Sequence, residues 1–362
     1  MAIAFASAPV ANFILTVNLA RAVRSLASGA TGANLSVMRT TVQRKMGGED
    51  VEALLYRHAS SLPTRAVILS AGVSELGCYH PQFVSLCRYL ADNGFLVLTP
   101  DIQMFRRFEV AAESIDQILF WLGQVRSLEE GRKLRNVGLA GISFSGSLSL
   151  IAAARAGNQP PVSFVLGIGS YDDILRCAEE WFAPGNRTVG DEYYPTRSYG
   201  RWVIMRAALS LLSSPKDREI LNTLLLNLLR QKDIPYSDAG LTPEGSRWYR
   251  LALMQEDQSD SELVQRIKEY VKPRLNESLS IKDAAAAVRC PVFLVHGMWD
   301  DLIPPDESQR LQKRITHAQS FLLMSPFLTH TYPLEQTLDR AAKITGLWKT
   351  MVFLYHFAAT VR

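Results

Sequence analysis

The segment Gly141-Ile142-Ser143-Phe144-Ser145-Gly146 sets two serines among small residues, between an apolar run that reads as a buried strand and a run that reads as a helix. A serine hydroxyl is a weak nucleophile at neutral pH. It attacks a carbonyl only when a base within hydrogen-bond reach takes its proton and an acid holds that base. Small neighbours let the chain turn sharply enough to lift one hydroxyl above a sheet. Gly141 is the tighter flank, which favours Ser143 as nucleophile; shifting the frame by two residues makes Ser145 the alternative. The plain structural reading is a serine that caps a helix. Two later stretches carry complementary groups: Val295-His296-Gly297-Met298-Trp299-Asp300-Asp301-Leu302-Ile303-Pro304, and Leu328-Thr329-His330-Thr331-Tyr332-Pro333.

The elements that must hold these residues alternate in type. Leu35 to Arg44 and Val51 to His58 read as a hairpin about Gly47-Gly48. Ala66–Ser70, Phe95–Thr99, Val137–Gly141, Val162–Ile168, Pro291–Val295 and Ser320–Met324 are short continuous apolar runs, the pattern of strands buried on both faces. Helical spacing lies between them at His80–Asn93, Ser114–Val125 and Ser145–Ala156, with a last helix from about Leu334 to Ala358. Such alternation implies a mostly parallel sheet with helices on both faces, and ligand sites at the carboxyl ends of its strands. From about Tyr171 the strand signal disappears until Arg289, and helices broken at Pro184-Gly185, Pro215, Pro235 and Pro243 take its place.

Composition narrows the function further. A formal charge of +4 over 362 residues, without a long Lys/Arg run, excludes the electrostatic footprint of a nucleic-acid binder. Cys78, Cys87, Cys177 and Cys290 show no CxxC spacing and read as buried reduced thiols. The six histidines form no HxH or HExxH pair, so no metal is expected. Met1 to Gly48 contains no Asp or Glu, and Ala2–Ala20 is uncharged, with Arg21 and Arg24 following. That order of charge is the reverse of a cleaved secretory signal, and the apolar run is too interrupted to span a bilayer. The segment reads as a helix that docks on the domain or a partner subunit, lies on a membrane surface, or is a processed targeting segment.

The serine turn resembles the nucleophile elbow of the α/β-hydrolase family, with Gly141 and Ser145 as its small flanks and Ser145 standing where glycine is usual. The resemblance covers residue 35 to about 170 and 291 to the C-terminus. It implies an α/β-hydrolase core over 35–170 and 291–362, an inserted helical cap over 171–290, and an N-terminal apolar helix and linker over 1–34. In the family's chain order of serine, acid, histidine, the acid is Asp300, four residues after the His of a His-Gly pair and four before a proline, with Asp301 as the alternative. The base is His330. The oxyanion donors are the backbone N–H groups of Phe144 and Val73, where Ala71-Gly72 replaces the family's usual His-Gly. The implied activity is cleavage of a small-molecule carboxylic ester through an acyl-enzyme, without a cofactor. The alternatives are a thioesterase, peptidase or carbon–carbon bond hydrolase on the same triad, or a binding protein on a hydrolase scaffold. Trp181, Phe182, Tyr193, Tyr194, Trp202, Trp248 and Tyr249 either line an acyl pocket or pack the cap. The expected location is the cytoplasm, with a membrane-surface contact through the N-terminal segment as the variant.

Overall fold

Gly47 and Gly48 adopt φ values of 60° and 93°, a left-handed region that glycine reaches without a Cβ penalty, and turn the chain between two strands. β1 (Val37–Met46) and β2 (Glu49–His58) pair antiparallel from Met46↔Glu49 to Val37↔His58. The computed structural model describes residues 12, 15–17, 36–159, 161–183, 198–232, 237–253, 260–300, 302–328 and 340–361, with 276–278 as backbone only.

β3 (Arg65–Ser70), β4 (Phe95–Pro100), β5 (Asn136–Ile142), β6 (Val165–Ile168), β7 (Val292–Gly297) and β8 (Ser320–Ser325) complete an eight-stranded sheet of order β1-β2-β4-β3-β5-β6-β7-β8. β2 meets β4 antiparallel, and every pairing beyond it is parallel. The parallel strands carry continuous apolar runs because helices cover both of their faces. α1 (Pro81–Asp92), α2 (Glu113–Gln124) and α3 (Phe144–Ala156) follow β3, β4 and β5. Between β6 and β7 the described residues form α4 (Ile174–Phe182), α5 (Ser198–Ala207), α6 (Pro215–Leu229), α7 (Pro243–Leu253), α8 (Ser261–Leu279) and α9 (Lys282–Ala287). α10 (Pro305–Arg314) follows β7, and α11 (Arg340–Val361) follows β8.

Side chains alternate between two cores, as the period of a strand requires. Ile68, Leu98 and Leu139 join Trp121 of α2 and Leu148 of α3 on one face. Val67, Leu69 and Phe293 join Phe83 of α1 and Phe353 and Phe357 of α11 on the other. Leu15, in a helical part of the N-terminal segment, is buried in this second core. Cys78, Cys87 and Cys177 are buried, Cys290 is half-buried, and all four are free thiols.

The strand expected from Val162 begins at Val165. The Ser163 hydroxyl accepts the Val137 N–H at 3.1 Å while the Ser163 N–H donates to the Val137 carbonyl at 2.8 Å, so a side chain replaces one backbone carbonyl at the start of the ladder. The last helix runs on to Val361 rather than ending at Ala358; its expected start near Leu334 lies outside the described residues. Pro215 and Pro243 open helices, where a missing N–H costs nothing, whereas Pro273 sits inside α8.

The chain leaving β6 is fastened to α10 by charge. Glu307, buried in the first turn of α10, accepts the N–H groups of Asp172 and Asp173 at 2.9 and 2.8 Å and the Arg176 Nε at 2.5 Å. Asp172 receives Arg314 through two bonds of 2.6 and 2.9 Å and Arg176 at 3.0 Å. Burial works to raise the Asp172 pKa, but the hydrogen bonds and charges of Arg314 and Arg176 outweigh it and hold the carboxyl below its ordinary range. A carboxylate whose folded pKa is depressed contributes stability above its unfolded value, near 4, and loses it as pH falls through the folded value. Asp172→Asn is therefore expected to cost about 3 kcal/mol near pH 6, a difference that shrinks steadily below about pH 4. Urea midpoints of both proteins between pH 6 and 2 test this, and a pH-independent gap would refute it.

Candidate active site

β3, β5, β6 and β7 end nearly in register: Ser70 pairs with Gly141, Ile142 with Ile168, and Ile168 with Val295. Gly72, Ser143 and Asp300 leave their strands at this common carboxyl rim. Ser143 has φ 59° and ψ −130° and stands immediately before α3. For a residue with a Cβ this conformation is strained by roughly 1–3 kcal/mol and persists only where its surroundings dictate it. Here they do. The Ser143 N–H donates to the Ile168 carbonyl at 2.6 Å, and the Gly146 N–H donates to the Ser143 carbonyl at 3.0 Å.

The glycines on either side make the turn sterically feasible. A Cβ on Gly141 would lie 2.2 Å from the Ser145 carbonyl oxygen and 2.6 Å from the Gly146 nitrogen; one on Gly146 would lie 2.4 Å from the Ser170 Oγ. The atoms crowding Gly141 are backbone and cannot move aside. Gly141→Ala is expected to cost about 3 kcal/mol by overpacking and to open the turn. Gly72 offers the contrast: its φ is not left-handed, and a Cβ there would make ordinary contact, 3.5 Å from the Ile142 oxygen and 3.6 Å from the Ser143 Cβ. Gly72→Ala should stay within about 1 kcal/mol of the parent, and urea unfolding of the two variants side by side checks both expectations.

Ser145 is fully buried, and its hydroxyl is committed to the backbone. The Oγ accepts the Ile142 N–H at 2.9 Å and faces the carbonyl oxygens of Ile142 and Ser70 at 2.8 and 2.9 Å. Ser145 thus stitches β5 to β3. Ser143, half-buried, instead lines a cavity of about 1650 Å³ together with Gly72, Val73 and Phe144. Phe144 is the first residue of α3, so its N–H has no acceptor within the helix. The Val73 carbonyl accepts the Tyr199 hydroxyl of α5 at 2.7 Å, which ties the loop after β3 to the inserted helices.

Asp300 follows β7 and is buried. Its Oδ1 accepts the N–H groups of Leu302 and Ile303 at 3.0 and 2.9 Å, and its Oδ2 lies 3.3 Å from the His296 Nε2. Nε2 faces only acceptors, Asp300 and the Ile303 carbonyl at 2.9 Å, and therefore carries a proton. Nδ1 lies 2.6 Å from the Ser308 Oγ. His296 has no exposed surface and both of its nitrogens are engaged, so it braces the loop that carries Asp300. Trp181 pins the same loop from above, donating its indole N–H to the Leu302 carbonyl at 2.7 Å.

β6 lies between β5 and β7, which puts Ser143 and Asp300 at the ends of strands about 10 Å apart. An imidazole with one hydrogen bond on each nitrogen bridges roughly 7–8 Å between oxygens. His330 and Asp301 lie outside the described residues. Leu328, two residues before His330, lines the cavity that holds Ser143.

Of the aromatic residues that the sequence singles out in this segment, Trp181 lines the cavity, whereas Phe182, Trp248 and Tyr249 are buried in the core and Trp202 is half-buried against it. Tyr193 and Tyr194 lie outside the described residues. His80, where the sequence begins a helical stretch, also lines the cavity, and burial lowers its pKa. Its position in the segment between β3 and α1, beyond a strand's carboxyl end, was the available signal. The hydroxyl of Tyr199 gave none, because its partner is a backbone carbonyl 126 residues away. Among the described residues no group of three or more His, Cys, Asp or Glu side chains could hold a metal, and no helix is long and apolar enough to cross a membrane.

This sheet order, with its antiparallel β2 and the serine turn after β5, is that of the α/β-hydrolase fold. No family model matches the chain, and no curated protein matches it. Among solved structures it is similar to Est1E from Butyrivibrio proteoclasticus, at 14% identity and a TM-score of 0.46, over 88% of this chain and 99% of that one. A thermostable esterase from Pseudomonas putida ECU1011 aligns at 14% and 0.47, over 94% and 91%. Brefeldin A esterase, a bacterial homologue of human hormone sensitive lipase, aligns at 15% and 0.48, over 96% and 87%.

Proposed function

We propose that the chain is a serine hydrolase that cleaves carboxylic esters through an acyl-enzyme. The observation that carries this reading is Ser143: a non-glycine residue at positive φ, fixed by its neighbours before a helix, on the wall of a large cavity. Its hydroxyl oxygen attacks the ester carbonyl as His330 takes its proton, and Asp300 orients the imidazole and stabilises its positive charge. The Val73 and Phe144 N–H groups receive the charge that develops on the carbonyl oxygen. Collapse of the tetrahedral species expels the alkoxide, which takes the proton from His330 and leaves as the alcohol. Water, activated by the same imidazole, then attacks the acyl-serine, releasing the acid and restoring the Ser143 hydroxyl.

The inserted helices act as the cap in this reading. Tyr199 and Trp181 each hold a loop of the site, so the cap fixes the rim as well as covering it. A fluorophosphonate probe, which phosphonylates only an activated serine, tests the proposal. The expected result is stoichiometric labelling mapped by peptide mass spectrometry to Ser143, together with turnover of p-nitrophenyl acetate. A wild-type protein that neither labels nor turns over any ester is a binding protein, and the proposal fails.

A further inference from the structure

The cavity continues past Ser143, away from the inserted helices and down the sheet. Its walls there are Leu69, Ala140 and Leu166 on the strands, Leu86 on α1, and Leu354 and Phe357 on α11. Leu166 and Ile168 lie on β6, between β5 and β7, where strand residues are normally sealed by helices, yet both are only half-buried. The helices on this face therefore leave a channel over β5 and β6. At about 1650 Å³ the whole cavity exceeds the roughly 300–1,000 Å³ of clefts that hold drug-sized ligands. The depth of the channel follows from the strand itself. Ala71, just past β3, and Leu69 and Val67 on it point to the same face and line the cavity with little exposed surface, so it is narrow there, and the four-residue rise from Val67 to Ala71 spans about 13 Å. An extended chain advances about 1.2 Å per bond, so this arm takes ten or eleven bonds.

We infer that this channel holds the acyl chain of the substrate, and that the enzyme hydrolyses esters of unbranched acids of about ten to twelve carbons. The inference rests on Ser143 as nucleophile. The acyl carbonyl sits at the serine, the chain runs down over Ile142 and Ile168 between α1 and α11, and the alcohol lies under the inserted helices. That upper part of the cavity carries the polar side chains Arg206, Asn222 and Arg274, while the lower part is walled mainly by apolar side chains, with Gln82 and Tyr89 on α1 and Thr350 on α11 as polar members.

The test is a chain-length series of p-nitrophenyl esters from two to sixteen carbons, with the channel plugged from opposite walls by Leu166→Trp and by Leu86→Trp. In the wild type kcat/KM should rise about two- to fourfold per methylene, fourfold being full transfer from water, peak at ten to twelve carbons and fall by sixteen. Each plug should lower the twelve-carbon rate at least tenfold and leave the two- and four-carbon rates within twofold. Titration calorimetry with dodecanoate reads the channel without turnover, and either plug should weaken binding at least tenfold. A short-chain optimum in the wild type, plugs that act equally on all lengths, or dodecanoate binding indifferent to both plugs would overturn the inference. Binding that the plugs weaken, in a protein that the fluorophosphonate fails to label, would keep the channel and remove only the nucleophile.

Discussion

Ser143→Ala is expected to lower kcat for p-nitrophenyl acetate by about four to six orders of magnitude and to abolish fluorophosphonate labelling, with the fold intact. The loss is large because the proposed reaction forms its bond at this hydroxyl, and among the described residues no other serine has a positive φ. Alanine retains the strained φ of 59° and every backbone hydrogen bond of the turn, so stability should change by less than about 1 kcal/mol. Ser145→Ala should behave in the opposite way. It leaves the buried Ile142 N–H without its acceptor, at about 1–3 kcal/mol, yet removes no reacting atom, so labelling and most turnover should survive. Urea unfolding, labelling and turnover of the two variants separate the roles. Normal labelling of Ser143→Ala would move the nucleophile elsewhere.

The strands were legible because burial on both faces leaves a plain record in sequence. Ala66–Ser70 and Phe95–Thr99 read as strands and are strands, each within one residue of its end. Boundaries slipped where a side chain did the work of the backbone, as Ser163 does at the start of β6. The inserted helices were visible as a loss of strand signal, with Pro215 and Pro243 marking two starts. How those helices touch the site was not visible. The bonds from Tyr199 to Val73 and from Trp181 to Leu302 join residues 126 and 121 positions apart. Each partner is a backbone carbonyl, which every residue possesses.

The candidate site divides the same way. The serine turn was readable from its small flanks, Gly141 and Ser145, and at Gly141 backbone atoms of Ser145 and Gly146 forbid a methyl. The sequence offers Ser145 as a small flank or as the alternative nucleophile; its three backbone contacts show that it stiffens the turn. The network of Asp172, Arg176, Glu307 and Arg314 left no trace in the sequence, because its members come from the segment after β6 and from α10, more than 130 residues apart. The channel over β6 was invisible for a related reason. Leu166 reads as an ordinary core residue, and only the spacing of α1 and α11 leaves it half uncovered.

Asp300→Asn is expected to reduce kcat about 10⁴-fold, with His330→Ala at least as severe. The carboxylate is fixed on one oxygen by the Leu302 and Ile303 N–H groups and lies against the protonated His296 Nε2 with the other. An amide can satisfy only one of these. If its oxygen stays on the two N–H groups, its NH₂ faces the Nε2–H, donor against donor; if it flips, the loop loses its acceptor. Either arrangement costs about 1–3 kcal/mol and removes the negative charge that an imidazolium needs beside it in the transition state. A loss of that structural kind alone would not spare binding while removing turnover. The decisive reading is therefore dodecanoate affinity within twofold of the wild type, with kcat and the rate of fluorophosphonate labelling falling together. An Asp300→Asn enzyme within tenfold of the wild-type kcat would dismiss Asp300 as the orienting acid, and the same collapse in Asp301→Asn instead would move that role one residue along the loop.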